Sequence, residues 1–61
     1  MPNVEKEIMN LIGKNKNIST EVIAYVLKLN PKYVNKKLRK LENWGQIRRV
    51  TEQKVIYWAA N

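Results

Sequence analysis

The 61-residue chain contains no cysteine and no histidine. Disulfides, thiolate or imidazole catalysis and the usual zinc clusters are excluded together. Its acids are five scattered glutamates, none set beside a base on one face. With only two glycines there is no phosphate-cradling loop, so an enzyme is not expected, and neither is a cofactor or a bound metal. No apolar run approaches the roughly 18 to 20 residues that a membrane span needs, and Met1 to Glu5 lack a charged segment leading into an apolar one. The expected location is the cytoplasm. Repeats, low-complexity tracts and Gly/Ser linkers are missing too, so residues 1–61 are expected to form one domain. A domain of that size buries only about 60% of its unfolded surface, which makes a second copy of itself a candidate partner.

Positive charge is what the chain has in excess, at a net +7. Residues 28–49 hold eight Lys or Arg against one Glu, a net +7, while the segments before and after each sum to zero. Such a concentration favours polyanionic partners. A lysine-rich outer face is also what a merely solvated helix shows. Here the cations lack acidic partners four residues away, which such a helix usually carries.

Periodicity divides the chain into five or six elements. Val4, Ile8, Leu11 and Ile12 recur at helical spacing and predict a first helix over about 3–13, ended by Gly13 and the polar Lys14 to Asn17. Ile18 stands alone as a short strand. Ser19 and Thr20 then offer hydroxyl caps to a second helix over about 19–29 that carries Val22, Ile23, Val26, Leu27 and Leu29. Asn30 as cap and Pro31 in the first helical position start a third helix over about 31–44. Its Val34, Leu38 and Leu41 share a narrow stripe, while Lys32, Lys36, Arg39 and Asn43 point the opposite way. Tyr33, Asn35 and Lys40 lie on the flanks, and Lys37 nearer the core side. Gly45 fits the left-handed residue that closes the helix. Residues 47–59 predict an antiparallel hairpin, with Val55 and Tyr57 on one face and Ile56 and Trp58 on the other. Both faces are apolar, so the sequence leaves open which packs inward. Trp44, Trp58 and Tyr25 are expected to be packing residues.

The run Ile18-Ser19-Thr20, Ile23-Ala24, Leu27-x-Leu29, Val34, Leu38, Leu41 and Glu42-x-x-Gly45-x-Ile47 resembles the winged helix-turn-helix superfamily, and the order of elements does so along almost the full length. The resemblance implies a mainly α fold with a small β-hairpin (α+β), in the order α1, short β1, α2, α3, β2, β3. It also implies a small single-domain, nucleoid-associated transcriptional regulator whose partner is double-stranded DNA, with no small-molecule ligand evident. A DNA-coating chromatin protein and a protein–protein adaptor are the alternatives within that fold. One subgroup that binds Z-form nucleic acid uses a recognition-helix Asn with a wing aromatic, and Asn35 and Tyr57 stand in similar places. The rest of its pattern departs, since Arg39 replaces a tyrosine and Lys54 and Val55 replace paired prolines.

On the winged-helix reading the third helix enters the major groove, which is wide enough for one helix. Lys32, Tyr33, Asn35 and Lys36 are the candidates for base readout: lysine can donate to guanine, asparagine can pair with adenine, and tyrosine can meet a thymine methyl. Ser19, Thr20, Lys37, Arg39 and Lys40 are assigned to backbone phosphates. Arg48, Arg49 and Lys54 are assigned to the wing, where arginine favours narrow A·T-rich minor grooves.

Overall fold

Local capping chemistry sets where each element of the computed structural model begins, over residues 3–61, which are those it describes. α1 spans Val4–Lys14. The Asn3 side chain accepts the Lys6 N–H at 3.1 Å and satisfies one of the donors that a helix start leaves free. The helix runs through Gly13 and stops at Asn15, whose side-chain amide donates to the Leu11 carbonyl at 2.7 Å. β1 is the pair Ile18–Ser19. Ser19 then caps α2 (Thr20–Leu27) by accepting the Val22 N–H at 3.3 Å.

α2 ends two residues before the expected 19–29 does, because Lys28 turns left-handed at φ 57° and closes it, and it starts one residue later, Ser19 being its cap. α3 occupies Pro31–Asn43, capped by Asn30, which accepts the Lys32 N–H at 2.8 Å. Gly45 at φ 75° takes the left-handed position expected of it. β2 (Ile47–Glu52) and β3 (Val55–Ala60) form the hairpin. The sheet order is β1-β3-β2, antiparallel throughout, with Ile18 opposite Trp58 on one side of β3 and Arg49 opposite Trp58 on the other.

Three helices close over one side of this sheet. Ile8 and Ile12 of α1, Ile23 and Ala24 of α2, and Val34, Leu38 and Leu41 of α3 meet Ile18, Ile47 and Trp58 in one buried cluster. Burial of Trp58 answers the open question about the hairpin faces. Its ring is 1% exposed, and its indole N–H donates to Thr20 Oγ1 at 2.9 Å, so the large apolar surface is buried without stranding a donor. Ile56 lies two residues nearer the turn, outside the buried cluster, and it and Val55 are exposed.

Two aromatic expectations are corrected. Tyr25 is 84% and Trp44 59% exposed. Ile23 and Ala24 already fill the inward side of α2, which leaves Tyr25 on its outer side with Val22 and Val26, both exposed. Trp44 follows the last turn of α3, and the Lys40 ammonium sits over its ring, 5.0 Å from the centroid. Among the described residues no helix is long and apolar enough to cross a membrane.

Candidate nucleic-acid interface

Burying three aliphatic side chains of α3 fixes what its other faces show. Val34, Leu38 and Leu41 are at most 2% exposed. At 100° per residue this turns Lys32, Lys36, Arg39 and Asn43 directly outward, and all four are exposed. Asn35 and Lys40 are exposed on the two flanks, and Tyr33 keeps 41% of its surface. The readout candidates Lys32, Tyr33, Asn35 and Lys36 therefore share one accessible surface over the first two turns of the helix.

Two of the eight cations in 28–49 are spoken for. Lys37 Nζ lies 2.8 Å from Glu5 Oε1 of α1. That bond is the largest cause of two opposed shifts: the Glu5 carboxyl is held below its ordinary range and the Lys37 ammonium above its own. Lys37 also stands over the Tyr33 ring, 5.4 Å from its centroid. Expected among the phosphate contacts, it also ties α3 to α1. Its place nearer the core side of the wheel brings it within reach of the first helix, and its side chain stays partly exposed.

Arg49 of β2 donates to Glu42 Oε1 of α3 at 3.1 Å and lies 5.3 Å from the centroid of the Trp58 ring. The wing is thereby fastened to the C-terminal half of the helix it accompanies. Lys28, Lys32, Lys36, Arg39, Lys40 and Arg48 remain exposed, and no acidic group lies within ion-pair distance of them among the described residues. Lys54 is exposed at the hairpin turn.

The two hydroxyls at the start of α2 already have internal partners. Ser19 is buried and accepts from Val22, and Thr20 accepts from Trp58. Each keeps its own O–H proton as a donor. Sequence reasoning missed both ion pairs and the Thr20–Trp58 bond. Glu42 and Arg49 stand seven residues apart across a turn, a spacing with no helical signature, and Glu5 and Lys37 are related only through the tertiary fold.

No family model matches the chain, and no curated protein is similar to it. Solved structures are. FabT of Streptococcus pneumoniae, in complex with DNA, superposes with a TM-score of 0.92 at 22% identity, covering 100% of this chain and 45% of that one. ZitR of Lactococcus lactis, described as a zinc-responsive MarR family member, gives 0.85 at 22% identity over 100% and 44%. Wild-type ZitR in complex with DNA gives 0.81 at 25% identity, with the same coverage. The chain thus spans less than half the length of these proteins, and the likeness is one of fold. Three helices, a tight capped turn between the second and third, and a hairpin paired to a short strand make this chain a winged helix-turn-helix.

Proposed function

We propose that the chain binds double-stranded DNA as a small transcriptional regulator, with α3 in the major groove and the β2–β3 hairpin as wing. The observation that carries this reading is the outer face of α3. Lys32, Lys36, Arg39 and Lys40 are exposed without acidic partners, on a helix held rigidly by Val34, Leu38 and Leu41. A groove wide enough for one helix, lined by phosphates, is the complement of that surface. Two of the structurally similar proteins are in complex with DNA, which supports the same reading.

Lys32, Tyr33, Asn35 and Lys36 then meet base edges, and Arg39 and Lys40 meet phosphates. The Ser19 and Thr20 hydroxyls donate to a phosphate beside the start of α2. Arg48 and Lys54 serve the wing directly, whereas Arg49 must first exchange Glu42 for DNA. Two copies on half-sites about one helical turn apart would supply selectivity that lysine alone, lacking a rigid donor fork, does not.

The test is selection of bound fragments from random duplexes, followed by competition of the selected site against bulk DNA. If about five phosphates are neutralised per copy, log K falls with log salt at a slope of about −4 to −5. Lys36→Ala should relax base preference at one position. Arg39→Ala should weaken all duplexes alike and reduce the slope by about one. Absence of duplex binding at low salt overturns the proposal.

A further inference from the structure

Both helices of the helix-turn-helix end in the same way. In α2 the Leu29 N–H bonds back to the Ala24 carbonyl at 2.9 Å and the Lys28 N–H to that of Tyr25 at 3.2 Å. In α3 the Gln46 N–H bonds to the Leu41 carbonyl at 3.1 Å and the Gly45 N–H to that of Glu42 at 2.9 Å. Each pair of bonds forces one residue into the left-handed region, at φ 57° for Lys28 and φ 75° for Gly45. Glycine is the relaxed occupant of such a position, because a Cβ there crowds the following carbonyl. α3 has that residue and α2 does not.

The hairpin repeats the pattern. Gln53 and Lys54, the two residues between β2 and β3, stand at φ 48° and 68°, in a turn for which Asn-Gly is the relaxed choice. Lysines thus hold two left-handed positions, one in the turn that leads into α3 and one at the wing turn.

Packing does not explain Lys28. Its side chain is exposed. It lines a shallow open cleft with Glu21, Tyr25, Leu29 and Pro31, yet no ion pair to Glu21 forms. What the side chain brings is a positive charge in the turn that leads into α3, four residues before Lys32 in the chain. We propose that Lys28 is a phosphate-binding residue, contacting a backbone phosphodiester at the edge of the groove that α3 enters, and that this contact is why a strained position is not glycine. The inference rests on the DNA-binding reading above and adds to it a residue that the periodicity of the helices leaves out. The carbonyl end of α2 offers the charge one competing use, compensation of the helix dipole. That use predicts loss of stability when the charge is removed, whereas release of backbone strain predicts the reverse.

Lys28→Gly and Lys28→Arg in the full chain separate these possibilities, read by thermal melting and by duplex affinity across a salt series. For Lys28→Gly, melting at or above the wild-type temperature is expected, by up to about 6 °C. Affinity should fall by roughly 3- to 10-fold, and the salt slope should lose about one. Lys28→Arg should keep the wild-type slope. An unchanged slope in Lys28→Gly overturns the inference, as does a lowered melting temperature. If the wild type itself shows no duplex binding, the failure lies with the DNA reading and is recognisable as such.

Discussion

The two helices joined by the turn share a closing motif and a core, but they present opposite chemistry to solvent. α3 puts Lys32, Lys36, Arg39 and Asn43 outward, whereas α2 exposes Glu21, Val22, Tyr25 and Val26. The difference teaches which helix was selected for its surface and which for its place. α2 positions α3 through Ile23 and Ala24, and through the Thr20–Trp58 hydrogen bond it also anchors the sheet that carries the wing. α3 uses its inward side for packing and its outward side for charge.

Breaking the inward side should have the largest effect. Leu38 is wholly buried, so Leu38→Ala is expected to cost about 2 to 5 kcal/mol of folding stability in chemical denaturation, by leaving a cavity among the three helices. A loss well under 2 kcal/mol would put the register of α3 in doubt.

The shared closing motif can be sharpened next. A Cβ at Gly45 would meet no neighbouring atom within 4 Å, so only the left-handed backbone penalises substitution. Gly45→Ala should then destabilise by about 1 kcal/mol, opposite in sign to the expected effect of Lys28→Gly. Equal signs for the two substitutions would mean that backbone strain does not distinguish the helix ends.

A smaller effect is expected from the tie between α1 and α3. Because Lys37 lowers the Glu5 pKa, the pair contributes stability that is present above the ordinary glutamate value of about 4.3. It is lost as pH falls through the lowered folded-state value. The raised pKa of Lys37 places the other limit in strong alkali: that contribution is present below the ordinary lysine value and lost as pH rises through the folded one. Glu5→Gln should flatten the acid limb and leave neutral DNA affinity nearly unchanged. An acid limb identical to that of the wild type would remove the pair from the stability of the fold.

The smallest effect belongs to the outer side of α2. Tyr25→Ala should change stability by less than about 0.5 kcal/mol, since the ring is 84% exposed. A larger loss would show that this face is covered in solution.

The same contrast explains how much could be read from the sequence. α3 was legible nearly to the residue, because its apolar stripe is bounded by charges and its ends by Asn30, Pro31 and Gly45. The cationic face followed from the same wheel. α2 was harder to read: Val22, Tyr25 and Val26 are as apolar as the residues that truly pack, so hydrophobic spacing drew the helix correctly but misjudged Tyr25. Its length was overestimated because Lys28 carries no left-handed signature. In the hairpin, alternation between two apolar faces could not favour Trp58 over Tyr57, and a hydroxyl 38 residues away in sequence supplied the deciding partner. At the candidate site the outward cations were foreseeable, but the capture of Lys37 by Glu5 and of Arg49 by Glu42 was not, since both depend on how separate elements meet.

The most direct test is a titration of the isotopically labelled chain with duplex DNA at low ionic strength, following backbone amide signals. Shifts concentrated in residues 32–40, reversed by about 0.5 M salt, are the predicted result. Residues 32–40 unmoved while the duplex binds elsewhere, or no response anywhere, would contradict the assignment of the α3 outer face as the nucleic-acid surface.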